Sequence, residues 1–318
     1  MAFNPETFIP EAVEEIESKV GNRKAVIAVS GGVDSMVAAA LAAKAVPDQL
    51  TAIFVDTGFM RKNEVAQVKE AAKTAGIPLQ IVDESERFFG KLEGVSDPEQ
   101  KRKIIGELFI RVFEKHAKEV GAEMLIQGTI APDWIESGGA GRDTIKSHHN
   151  VGGLPEKMGL GLCEPLRELY KHEVRMVGKE LGLPRAVFER QPFPGPGLAV
   201  RVVGEITRGK LEIVREACAI VEEEIDTAVA KEMMERPWQY FAAVLPSKTV
   251  GVAGDERIYR HTVVVRAVRS LDGMTANFSK IPPEVLGAIS TRITNSITGA
   301  GRVLYDITNK PPSTVEME

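Results

Sequence analysis

The sequence predicts an α/β protein whose first part is built on a parallel sheet and whose second part is α+β with a mostly antiparallel sheet. Three observations carry that expectation. Apolar runs of strand length alternate with helix-period segments from Ala25 to Gln127, the pattern of a parallel sheet with crossover helices. The first such run ends in Ser30-Gly31-Gly32-Val33-Asp34-Ser35, and an alanine-rich segment, Met36 to Ala45, follows it. That is the strand, tight turn and helix start of a βα unit. From Gln191 the composition changes at Pro192-Phe193-Pro194-Gly195-Pro196-Gly197, which cannot continue a helix or a central strand. Beyond it, helices and strands no longer alternate.

In chain order, Pro10 to Val20 has the spacing of a helix, with Val13, Ile16 and Val20 on one face and glutamates on the other. Ala25 to Val29 is a strand. Leu50 to Val55 reads as a buried strand, Asn63 to Ala75 as a helix with Val65, Val68 and Ala72 inward, and Leu79 to Val82 as a strand. A long helical segment, Pro98 to Val120, leads to the strand Met124 to Gln127. The glycine-rich stretch from Gly138 to Gly161 has no convincing period, and a long irregular segment of that kind is usually a lid or disordered. After the proline run the expected order is a strand (Leu198 to Val203), a long amphipathic helix (Thr207 to Met233), and strands near Tyr240 to Leu245 and Val250. A strand from Ile258 to Val268, a helix from Pro283 to Asn295 and a last strand from Arg302 to Ile307 complete it.

Length and composition bound the function. A chain of 318 residues suggests two domains, each able to bury its own core. A net charge of −5 argues against a surface devoted to nucleic acid. Two distant cysteines, Cys163 and Cys218, imply neither a disulfide framework nor a zinc site. The N-terminus lacks the plan of a signal peptide, and no apolar run approaches the ~20 residues that span a bilayer. A cytoplasmic protein without membrane association is therefore expected.

In parallel sheets, ligands sit beyond the carboxyl ends of the strands. The segments at those ends are Ser30 to Ser35, Asp56-Thr57-Gly58 and Gln127-Gly128-Thr129, all small and polar. Paired glycines let the first loop turn sharply and approach a ligand, and the free N–H groups of the next helix favour an anion. Asp34 could hold a magnesium ion against phosphate oxygens. The plainer reading, a βα turn with a serine cap, leaves the combination of two glycines, two serines and an acid unexplained. A Walker-type match at Gly204 to Lys210 fails, because Leu211 stands where the metal-binding hydroxyl belongs. His148-His149 lack a partner at ligating spacing, and binding phosphate from a lid beside Lys146 suits them better. Lys101-Arg102-Lys103 could equally be a solvated helix face. Cys163 reads as a buried small apolar residue rather than a nucleophile.

The loop Ser30 to Ser35 resembles the pyrophosphate-binding loop of the N-type ATP pyrophosphatases. Alone it leaves several synthetases open. Phe54-Val55-Asp56-Thr57-Gly58, Lys101 to Gly106, Gln127-Gly128-Thr129, Ile135-Glu136-Ser137 and Ile145 to Asn150 resemble the GMP synthetases. So do Pro192 to Leu198, Val250 to Asp255 and the tail from Tyr305 to Pro312. The resemblance runs from about Pro10 to Glu318. Two positions depart from it: Gln191 stands where the family usually has His, and Thr57 where Asn is common. No glutaminase domain with a nucleophilic cysteine elbow precedes Pro10, so the chain is similar to the separate ATP-pyrophosphatase subunit of two-subunit GMP synthetases.

That resemblance implies an ATP-pyrophosphatase domain over residues 1–194, with a lid at about 136–160, and a C-terminal dimerisation and XMP-binding domain over 195–318. It implies that ATP adenylates the C2 oxygen of xanthosine monophosphate (XMP) with magnesium, releasing pyrophosphate, and that ammonia then displaces AMP. A separate glutaminase subunit would supply the ammonia, and the chain would form a homodimer through its C-terminal domain. By resemblance, Ser30, Gly31, Gly32, Val33, Asp34 and Ser35 hold the pyrophosphate, with Asp34 on the magnesium. Val55 and Gly128 sit beside adenine and ribose, and Lys146, His148 and His149 come from the lid. Arg102, Asp255, Lys310 and Glu316 grip XMP, and Asp34, Ser35 and Lys146 are the catalytic set. The alternatives are another ligase of the same superfamily, of the NAD synthetase kind, or a nucleotide-binding module without turnover.

Overall fold

The computed structural model describes residues 3–133, 159–271 and 273–318. The chain divides into two compact units. The first comprises Met1–Gly58, Asn63–Ser85 and Gly106–Arg190, and the second Phe59–Lys62, Glu86–Ile105 and Gln191–Glu318.

The first unit is a five-stranded sheet with every pairing parallel, as the alternation predicted. Its strands are β1 (Ala25–Ala28), β2 (Leu50–Asp56), β3 (Leu79–Asp83), β4 (Met124–Ile126) and β5 (Gly161–Cys163), in the spatial order β3-β2-β1-β4-β5. Ala25, Val26 and Ile27 are all buried, because a parallel sheet is covered on both faces. The order reverses between β1 and β4, whose pairing runs from Ala25↔Met124 to Ile27↔Ile126. Such a reversal opens a crevice at the carboxyl ends of those two strands.

Helix α1 spans Pro5–Val20 and starts ahead of the expected Pro10. Asn4 accepts from the Glu6 N–H at 3.0 Å, and Pro5 fits the first helical turn. Ala12, Ile16 and Val20 are its buried residues. Helix α2 (Val33–Ala45) is buried almost all round, from Met36 to Ala42, which suits an alanine-rich helix wedged beneath other elements. Helix α3 (Glu64–Thr74) follows β2, α4 (Ser85–Lys91) follows β3 and α5 (Pro98–Glu119) leads to β4. Helices α6 (Lys171–Glu180) and α7 (Arg185–Phe188) also belong to the first unit, whereas α4 from Glu86 onward and the start of α5, to Ile105, belong to the second. The sequence reading named none of α4, α6 and α7; α4 and α7, at one or two turns, are too short for periodicity to register.

In the second unit, β6 (Gln239–Ala253) and β7 (Glu256–Arg269) form a long antiparallel hairpin. The short β8 (Asn277–Phe278) pairs antiparallel to β7, and β9 (Ala300–Asp306) pairs parallel to it. The two strands expected near Tyr240 and Val250 are one strand with an irregularity between Val244 and Lys248. Helix α8 (Arg208–Ala230) packs on β6, and α9 (Pro283–Ser296) packs on α8 and β9. Thr207 caps α8, accepting from the Lys210 N–H at 3.2 Å, and Leu211, Val214, Cys218 and Val221 are buried. The Walker-like string therefore opens a core helix.

The strand expected over Leu198 to Val203 is instead a turn of 3-10 helix, Gly197–Arg201. Gly197 has φ +65°, and a Cβ on it would lie 2.3 Å from the Phe59 carbonyl oxygen, which accepts from the Leu198 N–H at 2.8 Å. The chain is pinned to Phe59 where a strand would have to run straight, and burial alone does not tell a turn from a strand.

Candidate active site

The glycine loop lies at the carboxyl end of β1, and Gly32 is the N-cap of α2. Its hydrogen bonds tie the two serines together. The Ser30 N–H donates to Ser35 Oγ at 3.1 Å, and Ser35 Oγ donates to the Gly32 carbonyl at 3.1 Å. The two hydroxyl oxygens are 3.1 Å apart, and Gly32 N–H reaches Ser30 Oγ at 3.3 Å. Met36 N–H is the first to bond back, to Gly32, so the preceding amides of the helix have no intrahelical acceptor. Amides without intrahelical acceptors and two hydroxyls thus gather at the positive end of a helix, the makings of an anion site.

Gly128 follows β4 and stands against this loop. A Cβ there would lie 2.9 Å from the backbone carbon and oxygen of Asp34 and 3.1 Å from the Ser35 nitrogen. Its smallness is required by packing against the start of α2, whatever it also offers a nucleotide. Val55 is buried within β2. Asp56 turns the chain after β2 by accepting from the Gly58 N–H at 2.8 Å.

Asp34 has one carboxylate oxygen ion-paired to Lys171, the first residue of α6. The other, Oδ1, is buried without a hydrogen-bond partner. Burial raises the Asp34 carboxyl above its ordinary value, and Lys171 offsets only part of that rise. Gln127 Oε1 and Thr129 Oγ1, from the segment after β4, are likewise buried and unpartnered. Orphaned acceptors at one crevice call for a ligand, since an unsatisfied buried oxygen is costly. A magnesium ion fits this donor set: it is bound through one or two carboxylates plus phosphates rather than by a protein cage. No group of three or more His, Cys, Asp or Glu suited to a metal occurs among the described residues. Lys146, His148 and His149 lie outside the described residues.

The expected XMP residues fall in two places in the second unit. Glu316 accepts from Arg201 Nε and Nη2 at 3.1 and 3.0 Å and from Gln239 at 2.7 Å. Arg102 donates to Glu99 at 2.9 Å and to the backbone oxygen of Glu318. Lys310 donates to the Gly273 carbonyl at 2.8 Å. Asp255 instead sits exposed at the tip of the β6–β7 hairpin. Gln239 is at the other end of β6, and at ~3.3 Å per residue the strand separates them by roughly 45 Å. One chain does not bring Asp255 to Glu316.

Sequence reasoning missed the groups that hold the tail. Lys101 is fully buried and bonds to Glu318 and, at 2.8 Å, to the Val202 carbonyl. Arg201 is fully buried, over Phe241 at 4.2 Å and Phe193 at 5.2 Å. Arg266, equally buried, donates to Asp306, Ser313 and the carbonyls of Thr308, Thr314 and Val315 at 2.8–3.0 Å. A charge inside an apolar run, as in Leu198 to Val203 or Val263 to Val268, was the available signal. Of the run Lys101-Arg102-Lys103, only Lys103 is an exposed face residue. Gln191 is structural: its amide donates to Glu222 at 2.9 Å and its carbonyl accepts from the Tyr240 N–H at 2.8 Å.

Cys163 and Cys218 are both buried, and burial raises the Cys163 thiol to about 11. Native protein should therefore resist a thiol reagent at neutral pH and take up label at both positions only on denaturation, as mass spectrometry of the labelled protein would show. Among the described residues no helix is long and apolar enough to cross a membrane.

Two family models match the chain. One described as the PP-loop domain matches residues 5–183, and one described as the GMP synthase C terminal domain matches residues 225–317. The chain is 62% identical to a protein of Thermococcus kodakarensis named as one subunit of a glutamine-hydrolyzing GMP synthase, over 98% of this chain and 99% of that one. It is 57% identical to the protein of the same name from Methanocaldococcus jannaschii, over 99% and 100% of the two chains. It is 56% identical to the glutamine-hydrolyzing GMP synthase of Clostridium tetani, covering 98% of this chain and 61% of that longer protein.

Proposed function

The chain belongs to the GMP synthase family, and on that premise we propose that it is the ATP-pyrophosphatase subunit of a two-subunit GMP synthase. The XMP C2 oxygen attacks the α-phosphorus of ATP, and the bond to pyrophosphate breaks. Ammonia then adds at C2, AMP leaves with the former C2 oxygen, and GMP remains after loss of a proton. A carbonyl oxygen is a poor leaving group, and adenylation makes it a good one.

The observation that carries this reading is the unpartnered Asp34 Oδ1 beside an anion cradle at the sheet's reversal point. Ser30, Gly31, Gly32, Val33 and Ser35 present amides and hydroxyls to the departing pyrophosphate, stabilising charge as it develops. Asp34 would hold magnesium, which supplies positive charge to the phosphate oxygens. Lys171, already on Asp34, adds a cation at the same spot. Lys146, His148 and His149 are the further groups for neutralising phosphate, and Val55 and Gly128 flank the nucleoside. Arg102, Lys310 and Glu316 recognise XMP from the tail region. Asp255 joins them from a second copy, which gives the expected homodimer a catalytic reason. A cytoplasmic glutaminase partner supplies the ammonia.

Purified protein given ATP, magnesium, XMP and ammonium salt should form GMP, AMP and pyrophosphate in equal amounts by chromatography. Adding a partner glutaminase should make glutamine an effective nitrogen source. Inactivity on XMP together with turnover of deamido-NAD or citrulline would sink the reading.

A further inference from the structure

Two adjacent glycines give the pyrophosphate loop a weakness. A Gly-Gly peptide flips easily, since neither residue has a Cβ to oppose it. The carbonyl and N–H of one trans peptide point in opposite directions. A flip of the Gly31–Gly32 peptide would therefore aim a carbonyl, in place of an amide, at the anion. Something must hold it.

Arg190 is placed to do so. Its Nη1 donates to the Gly31 carbonyl at 3.1 Å, and its Nη2 is ion-paired to Glu64. That leaves the Gly32 N–H on the opposite side, where it meets Ser30 Oγ at 3.3 Å. Glu64 is 2% exposed and is the first residue of α3, where an anion is favoured by the helix dipole. The packing leaves Gly31 no substitute: at φ +77° a Cβ would lie 2.8 Å from Val68 Cγ2 and 3.0 Å from Glu64 Oε1. A cavity of about 230 Å³, lined by Gly31, Val68, Ala71, Val187 and Arg190 among others, adjoins the guanidinium. Packing alone therefore does not fix that side chain. Its two partners do.

Resting on the pyrophosphate role of the loop, we propose that Arg190 is a positioning residue that locks the Gly31–Gly32 peptide with its amide toward the pyrophosphate, and that Glu64 holds Arg190 in place. Neither side chain needs to touch substrate. The effect should fall on the affinity for pyrophosphate and ATP and spare XMP.

The test compares wild-type enzyme with Arg190→Met, Arg190→Lys and the double variant Glu64→Gln/Arg190→Met, which leaves no buried charge unpaired. Inhibition by inorganic pyrophosphate, KM for ATP, KM for XMP and thermal melting are measured on each. The lost charged hydrogen bond should raise the inhibition constant for pyrophosphate about tenfold in Arg190→Met and in the double variant. Arg190→Lys, which can still donate to the Gly31 carbonyl, should recover part of that loss, and KM for XMP should stay within about twofold. Unchanged pyrophosphate inhibition in these variants overturns the proposal. So does a parallel loss of XMP and pyrophosphate affinity with a lowered melting temperature, including in Arg190→Lys, because that is the mark of general damage. Ser35→Ala separates the two levels of the argument. If it leaves pyrophosphate inhibition unchanged, the role of the loop itself fails. If it weakens inhibition while the Arg190 variants do not, only the lock fails.

Discussion

Asp34→Asn is expected to lower the rate of XMP-dependent pyrophosphate release by about two to three orders of magnitude and yet to melt no lower than the parent protein at pH 7. The first half follows from the loss of the carboxylate whose Oδ1 has no protein partner. The second half follows from the direction of its titration. Burial raises the Asp34 carboxyl, with Lys171 offsetting only part of the rise. A raised value means that the native state holds the proton more tightly than the unfolded chain. Asp34 therefore contributes stability below the ordinary carboxylate value, and that contribution is lost as pH rises through the native value. At pH 7 the partly buried anion, its Oδ1 fully buried, is a net cost that asparagine removes. Lys171, half exposed, is left without a heavy penalty. Melting curves at pH 7 and at progressively lower pH check the sign: the advantage of the variant should shrink with acidification. A clear fall in melting temperature at pH 7 would show that Asp34 serves the fold. The expected pattern is that of a site group retained at the expense of stability.

Glu316→Ala should destabilise the protein by about 3–5 kcal/mol, because it leaves a buried guanidinium unpaired. Arg201 is fully buried, sandwiched near Phe193 and Phe241, and Glu316 accepts two of its hydrogen bonds. Gln239 also loses its partner. Cutting the chain before Lys310 should cost more. It strips Glu318 from Lys101, Glu316 from Arg201, and Ser313, Thr314 and Val315 from Arg266, while Asp306 and Thr308 remain. Weakened XMP binding after truncation would then report a damaged unit as readily as a missing ligand contact. Glu316→Gln discriminates. It keeps an acceptor for Arg201, so denaturant unfolding should show a smaller loss than for Glu316→Ala, and a KM for XMP that still rises would place Glu316 on the substrate.

The five-stranded sheet and its glycine loop were legible because their signals are local. Ala25 to Val29 is apolar on both faces, Gly31-Gly32 allows a tight turn that other residues resist, and Met36 to Ala45 has little to be but helix. The helices α4 and α7 were missed because one or two turns give periodicity too little length to register. Leu198 to Val203 was misread because its conformation is imposed by Phe59, a residue far away in sequence that accepts from the Leu198 N–H.

By itself the sequence determined the class of the first domain, the place of the glycine loop and, through the resemblance of widely spaced motifs, the family. Only the tertiary structure decided which charges pair within each unit. It set Lys171 on Asp34, Arg190 on Gly31, and Glu316 and Glu318 on Arg201 and Lys101. The physical reason is that a charge in a sequence reads as solvated until the fold removes its water. Removing that water forces a partner, and the partner can come from any distance along the chain.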